Sequence, residues 1–211
     1  MRQVDRKVRL MAIVGVLAVG TGFSTPAWCQ TIVDEWAGVK APPPPELKPV
    51  TIDPKVTGLL MLDLIKQNCG PRPRCIASLP KAQGLLTQAR EKGIPVVHSL
   101  IARSSVADIF PEVAAREGEP VVTSGPDKFL NTDLEKILKE KGITTVIVVG
   151  TAAEGAVLHT AAGAALRGFN VIAPVDGMSS TAAYAEQYTT WHLASRFAAR
   201  TTLTRVDLIG Y

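Results

Sequence analysis

Cysteine and histidine are scarce in this chain of 211 residues, which contains three of each. Three cysteines are too few for a mini-protein whose fold depends on several disulfides. Cys69 and Cys75 have no second cysteine pair or histidine beside them, so we expect no zinc site. Neither a Walker A motif nor a G-x-G-x-x-G motif occurs, so nucleotide binding has no support and we expect no cofactor.

An excess of one charge sign is also lacking once the N-terminal segment is set aside. The chain has 23 Lys and Arg against 19 Asp and Glu, with a net charge of +4 and a pI near 9.0. Four of these basic residues and one acidic residue lie within residues 1–29, which leaves 19 against 18, or +1. No run of like charges follows, so we expect no nucleic-acid partner.

Long apolar runs are absent as well. Residues 10–20 form an apolar run of eleven residues, whereas a membrane-spanning helix needs about 20. Basic residues precede this run and Ala27-Trp28-Cys29 follows it, a pattern typical of a secretory signal peptide. We therefore predict a signal peptide over residues 1–29, cleaved after Cys29 or alternatively after Ala27, and a secreted or periplasmic protein without a membrane span. The alternative is an amphipathic or core N-terminal helix.

Residues 30–55 form a proline-rich N-terminal arm. Four consecutive prolines at 42–45 favour polyproline II and exclude a helix there. Two interpretations remain open for residues 30–45, an arm that lies on the following domain and a flexible tether.

Strand and helix patterns alternate over residues 56–211. Continuous apolar runs of strand length indicate strands buried on both faces, and amphipathic or alanine-rich segments between them indicate helices. This alternation predicts a three-layer α/β/α sandwich with a mostly parallel central sheet. The predicted strands are 57–64, 94–102, 119–123, 144–149, 170–174 and 201–209, and the predicted helices are 79–92, 133–141, 155–167 and 181–198.

Three short motifs lie where the predicted strands end, the edge at which such sheets bind ligands. They are LLMLD at 59–63, PDKF at 126–129 and VVGTAAEGAV at 148–157. Their combination and order resemble the isochorismatase-like hydrolase superfamily, also called the cysteine hydrolase superfamily. The resemblance covers about residues 56–178.

The resemblance implies an Asp–Lys–Cys triad in which one position has changed. By position, Asp63 takes the acid-base role and Lys128 the lysine role, while the backbone N–H groups of Ala152 and Ala156 form the oxyanion hole. The nucleophile position is Ala156, which cannot attack a carbonyl. Isochorismatases proper have glycine there and cleave a vinyl ether with the aspartate as general acid. Glu154 stands where those enzymes have a histidine, so the resemblance does not identify the substrate of this protein.

We expect an exported hydrolase that acts on a small metabolite by Asp63 and Lys128 acid-base chemistry, without the family cysteine. Two alternatives remain: a catalytically silent periplasmic protein that binds a small molecule, and a cysteine-dependent amidase whose nucleophile Ala156 has replaced. The superfamily also implies a homo-oligomer.

Several other residues are weaker candidates for the site. Glu154 is a candidate pocket residue because it is an acid beside the turn. Arg72, Arg74 and Arg103 could pair with a substrate carboxylate, the alternative being solvated loop arginines, and Arg103 is the arginine taken as a candidate pocket residue. A disulfide between Cys69 and Cys75 is left open. His98 is interpreted as a core histidine. An aromatic stripe on the last helix, Tyr184, Tyr188 and Trp191, is interpreted as core or subunit contact.

Overall fold

The computed structural model describes residues 31–211, and the predicted signal peptide at residues 1–29 lies outside the described residues. The described residues divide into two units, 31–41 and Pro42–Tyr211. The sheet, its helices and the predicted site residues all belong to the second unit.

The described part of the first unit contains one short helix, α1, at Ile32–Glu35. The Asp34 carboxylate accepts a 2.8 Å hydrogen bond from the Thr31 N–H, which fixes the start of this helix. Over residues 31–211, no helix combines the length and the apolar character that crossing a membrane requires.

A seven-stranded sheet forms the centre of the second unit. Including a separate two-stranded pair, the strands are β1 (Val50–Thr51), β2 (Thr57–Leu62), β3 (Val96–Leu100), β4 (Val121–Thr123), β5 (Thr145–Thr151), β6 (Asn170–Pro174), β7 (Met178–Ser179), β8 (Thr201–Thr204) and β9 (Ile209–Gly210). The main sheet has the order β4-β3-β2-β5-β6-β8, and β7 pairs with the end of β5. All of these pairs are parallel, which confirms the predicted fold class.

Helices cover both faces of this sheet. They are α2 (Lys66–Cys69), α3 (Pro73–Glu91), α4 (Leu134–Glu140), α5 (Leu158–Leu166) and α6 (Ala183–Arg196). Successive strand side chains point to opposite faces, so β2 contributes to two cores. Leu59 and Met61 pack with the buried residues of α3, whereas Leu60 and Leu62 pack with those of α4, α5 and α6.

Helix α3 is longer than the prediction of 79–92, which was wrong at its start. The helix begins at Pro73, whose fixed φ and missing N–H suit the first helical position. It continues through Pro80, which removes the hydrogen bond to the carbonyl of Ile76. Ile76 is 41% exposed, so water can reach this turn of the helix.

The predicted last strand, 201–209, is divided in the structure. After β8 the Val206 N–H donates to the Asp176 carboxylate at 2.9 Å instead of continuing the ladder, and Val206–Leu208 form a 3₁₀ turn. The chain then enters β9, which pairs in parallel with β1. The end of the proline-rich arm is therefore hydrogen-bonded to the C-terminal segment.

The aromatic stripe of α6 lies mainly on the surface. Tyr184 is 64% exposed and Tyr188 is 39% exposed, while Thr189 and Leu193 form the buried face of this helix. The interpretation of the stripe as core is therefore wrong for both tyrosines, because the buried face of α6 lies elsewhere. Subunit contact stays a prediction.

His98 is buried in β3, which confirms its interpretation as a core histidine. Its Nε2 lies 3.0 Å from the Glu119 carboxylate, which also accepts 2.8 Å hydrogen bonds from Arg90. Burial is the main cause that lowers the pKa of His98, and the contact with Glu119 opposes it. Burial alone would raise the pKa of Glu119. Hydrogen bonds from Arg90, the Arg116 N–H and His98 outweigh that effect and lower this pKa to about 2.

We expect Glu119→Gln to weaken the acid dependence of stability. The pKa of Glu119 falls from 4.5 to about 2 on folding, so its stabilisation is complete above 4.5 and is lost as the pH falls toward 2. The pKa of His98 is also lowered on folding, so protonation of His98 reduces the stability of the folded state. This loss begins as the pH falls below 6.5, the ordinary pKa of histidine. Urea unfolding at a series of pH values measures this dependence, with exposed Glu140→Gln as the control. An unchanged pH dependence in Glu119→Gln contradicts the prediction.

Candidate active site

Asp63 follows β2 directly and is held by a residue of the neighbouring strand. Its backbone has a φ of 52°, and the residue is only 3% exposed. The Ser99 hydroxyl donates to Asp63 Oδ1 at 2.7 Å, and the Asp63 N–H donates to Ser99 Oγ at 3.1 Å. Met61 of β2 pairs with His98 of β3, so the parallel register brings Ser99 beside the end of β2. Ser99 thus fixes one carboxylate oxygen of Asp63.

Lys128 is fully buried and fixes the other oxygen. Its Nζ lies 2.8 Å from Asp63 Oδ2, and it also donates to the carbonyls of Ser124 at 3.2 Å and Leu100 at 3.5 Å. An ammonium group has three N–H donors, and here each has a protein acceptor. Lys128 therefore has no N–H donor left for a further partner.

The loop that carries Lys128 is anchored on helix α5. The Lys128 N–H donates to Thr160 Oγ1 at 3.2 Å, and the Thr160 hydroxyl donates to the carbonyl of Pro126 at 3.3 Å. The Thr132 hydroxyl donates to the Lys128 carbonyl from the other side. These contacts explain how a side chain far from Asp63 in sequence reaches it.

The end of β5 lies beside Asp63. Leu62 pairs with Gly150, so Asp63 and Thr151 each follow a residue of the last pair between β2 and β5. Gly150 has a φ of 135°, and a Cβ there would lie 2.0 Å from the Leu62 carbonyl oxygen. Only glycine allows this close approach of the two strand ends.

A wide turn follows β5 and contains the predicted nucleophile position. The Thr151–Ala152 peptide is cis, and the N–H groups of Gly155 and Val157 both donate to the Ala152 carbonyl. Residues Ala153–Val157 form a π-turn before α5, so helical structure begins two residues earlier than the predicted 155–167. Ala156 is 4% exposed, and its methyl group belongs to the core of the α4–α6 face.

Glu154 lies on this turn and has a defined partner. It is half-buried, and its Oε2 accepts a 2.6 Å hydrogen bond from the Ser180 hydroxyl. The Ser180 N–H in turn donates to Glu186 Oε1 at 2.8 Å, and Glu186 forms an ion pair with Arg74. Glu154 is thus held at the same edge of the sheet as Asp63.

Arg103, the other candidate pocket residue, is not brought into this cluster. It is exposed in the loop after β3, with a φ of 65°. Among residues 31–211 it has no side-chain hydrogen bond or ion pair that would direct it toward Asp63. Its role as a pocket residue stays a prediction.

Cys69 and Cys75 form a disulfide, with their Cα atoms 5.2 Å apart. Both residues are fully buried, and the bridge closes the loop between α2 and α3. Arg72 lies within this loop and donates from Nη1 to Thr151 Oγ1 at 3.3 Å. Sequence reasoning named Arg72 as a possible partner of a substrate carboxylate but not its contact with Thr151, which loop conformation creates. It missed Ser99, which only the strand register brings to Asp63.

The cluster has the properties of an acid-base centre. Each carboxylate oxygen of Asp63 accepts one hydrogen bond from the protein, which leaves lone pairs free for a proton. A cation lies in direct contact, and no nucleophilic side chain occupies position 156. Over residues 31–211, no group of three or more His, Cys, Asp and Glu side chains has a metal-binding arrangement.

Comparison with known families matches this fold. The Isochorismatase domain family model matches residues 57–205, which contain Asp63, Lys128 and Ala156. The chain belongs to the isochorismatase family. Its members include hydrolases of the isochorismatase-like, or cysteine hydrolase, superfamily.

Individual relatives agree with this assignment. The chain is 34% identical over 113 residues to the secreted isochorismatase effector Isc1 of Verticillium dahliae, over 48% of this chain and 60% of that protein. It is 26% identical over 147 residues to N-carbamoylsarcosine amidase of an Arthrobacter species, over 56% of each chain. The matches therefore span less than two thirds of either relative.

A solved structure shows the same architecture. An isochorismatase-like hydrolase from Alkaliphilus metalliredigens superimposes with a TM-score of 0.66 at 26% sequence identity. The match covers 74% of this chain and 96% of that one. The α/β/α fold shared with this isochorismatase-like hydrolase thus accounts for most of the second unit.

Proposed function

We propose that this protein is an exported hydrolase that cleaves a small metabolite without the cysteine of its superfamily. The observation that carries the proposal is the intact, buried Asp63–Lys128 pair beside a turn whose nucleophile position is Ala156. Retention of the pair without a nucleophile favours chemistry in which water is the nucleophile and Asp63 moves the proton.

Cleavage of an enol ether of a 2-oxo acid fits these residues best. In its acid form Asp63 gives its proton to the enol carbon, and water adds to the neighbouring carbon, which has become cationic. The water proton returns to Asp63, and the resulting hemiketal collapses to an alcohol and a 2-oxo acid. The two products together contain the atoms of the enol ether and of one water molecule, and Asp63 returns to its acid form.

Lys128 and the turn have supporting roles in this proposal. All three donors of Lys128 are taken by the protein, so its role is to orient Asp63 and to balance its charge. The backbone N–H groups of Ala152 and Ala156 donate to the leaving oxygen, on which negative charge develops as the hemiketal collapses.

A screen of the purified protein and of its Ala156→Cys variant tests the reaction class. The panel contains amides, ureides and enol-pyruvyl ethers, with ammonia and pyruvate release as the readouts. We expect the unaltered protein to release pyruvate from an enol ether. Ala156→Ser is the control for Ala156→Cys, because serine is similar in size to cysteine but has no thiol. Ammonia release by Ala156→Cys alone supports the alternative of an amidase that has lost its nucleophile. Binding without any turnover supports a silent binding protein.

Export is part of the proposal and has its own test. Residues 1–29 carry the signal-peptide pattern, and the Verticillium dahliae relative is described as secreted. We expect the full-length chain, expressed in a bacterium with its N-terminus intact, to be recovered outside the cytoplasm with Gln30 as its first residue. N-terminal sequencing measures this, and recovery of intact chains in the cytoplasm contradicts it.

A further inference from the structure

The loop closed by the disulfide carries a charged side chain that the proposed reaction does not yet use. Gly70, Pro71 and Pro73 lie between the two cysteines, and the bridge joins the loop to the buried start of α3. Prolines and a cross-link both reduce the number of backbone conformations that the loop can adopt. Arg72 is therefore presented from a constrained segment.

Arg72 lies at the edge of the sheet where the acid-base pair is located. Its Nη1 donates to Thr151 Oγ1 at 3.3 Å, and the Thr151 hydroxyl donates to the Ser179 carbonyl at 3.0 Å. Thr151 is fully buried, is the last residue of β5 and precedes Ala152, and it follows Gly150, which pairs with the residue before Asp63. The guanidinium group thus contacts the last residue of β5, directly before the turn and at the same edge of the sheet as Asp63.

The positive charge of Arg72 has no carboxylate partner in the structure described. Over residues 31–211, its bond to Thr151 is the one side-chain hydrogen bond it makes, and it takes part in no ion pair. Arg74, two residues on, is neutralised by Glu186. Arg72 is half-buried, and a guanidinium has five N–H donors, so most of its donors are left for another acceptor.

We propose that Arg72 is the residue that recognises a carboxylate of the substrate. This inference rests on the proposed function for the place where substrate binds, next to Asp63. A planar guanidinium matches a carboxylate by two parallel hydrogen bonds, and one cation balances one negative charge. The Cys69–Cys75 disulfide holds the loop that carries Arg72 at this edge of the sheet. The substrate class is accordingly a small carboxylate, such as an enol ether of a 2-oxo acid.

Equilibrium binding tests this inference without any requirement for turnover. Isothermal titration compares pyruvate with pyruvamide, which differ in charge but little in shape, and inorganic phosphate serves as a third ligand. We expect the unaltered protein to prefer pyruvate, and Arg72→Gln to weaken pyruvate binding by about 10- to 100-fold with little effect on pyruvamide. Arg72→Lys keeps the charge but lacks the planar fork, so we expect it to retain part of the preference.

Two further variants separate the role of Arg72 from a general change of charge or structure. Arg200 is an exposed arginine after α6 that contacts the Gly168 carbonyl. Arg200→Gln removes the same charge as Arg72→Gln and should leave pyruvate binding unchanged. The Cys69→Ser/Cys75→Ser double variant should weaken pyruvate binding while Asp63 and Lys128 remain in place. Unfolding curves for each variant identify any that do not fold.

Each outcome decides the inference. Pyruvate binding that is unchanged in Arg72→Gln overturns it, as does a protein that binds pyruvate no better than pyruvamide. Phosphate binding tighter than that of pyruvate overturns the assignment to a carboxylate. Arg72-dependent pyruvate binding in a protein without turnover supports the carboxylate site and contradicts the hydrolase. If the protein turns over an enol ether and Arg72→Gln leaves its KM unchanged, the result supports the hydrolase but overturns the role of Arg72.

Discussion

Replacing Asp63 by asparagine is expected to reduce turnover by about 10²- to 10⁴-fold, the contribution that a general acid-base group makes to hydrolysis. Asparagine has nearly the same shape, and its amide oxygen can still accept a hydrogen bond from Ser99 or Lys128. It cannot give a proton to substrate or receive one from water. The loss should therefore appear in kcat more than in KM. Steady-state kinetics on the substrate that the screen identifies measures this effect.

A matched control is available at the opposite edge of the sheet. Asp53 is exposed before β2, and its carboxylate accepts a hydrogen bond from the Lys55 N–H, so Asp53→Asn makes the same chemical change away from the site. It should leave kcat unchanged. Urea unfolding of both variants separates loss of chemistry from loss of folded protein. Full activity in a folded Asp63→Asn variant would remove Asp63 from the mechanism, and with it the proposed acid-base reaction.

Much of the fold could be predicted because buried parallel strands have a simple signature. The apolar runs that became β2 and β5 are hydrophobic at nearly every position, since both faces of each strand are covered by helices. Asp63 and Lys128 could be proposed from short motifs and their order. The structure then places their charged atoms 2.8 Å apart, a contact that the motifs alone do not give.

The missed features depend on contacts between distant segments. Ser99 is an ordinary serine in the sequence, and only the register of β3 against β2 brings it to Asp63. Arg72 reaches Thr151 because a disulfide and two prolines shape its loop. Arg103 was a reasonable candidate by its place after a strand, but its loop leaves the side chain exposed.

Replacing Lys128 by methionine is expected to lower the free energy of unfolding by about 3–5 kcal/mol. Methionine fills a similar volume but leaves the 3% exposed Asp63 carboxylate without its cation, and it leaves the carbonyls of Ser124 and Leu100 without the ammonium donor. An uncompensated buried charge is one of the few single changes with an effect of this size. Urea unfolding at neutral pH, with a constant m-value, provides the measurement.

The double variant Asp63→Asn/Lys128→Met distinguishes a buried charge from a packing defect. Removing both charges removes the unpaired carboxylate, so the double variant should be more stable than the sum of the two single effects predicts. Lys139→Met, which removes an exposed lysine paired with Glu135, should change stability by less than about 1 kcal/mol. Additive effects of the two site substitutions would mean that the Asp63–Lys128 contact contributes little. In that case the loss of stability in Lys128→Met would come from the carbonyls of Ser124 and Leu100, which the ammonium group no longer contacts.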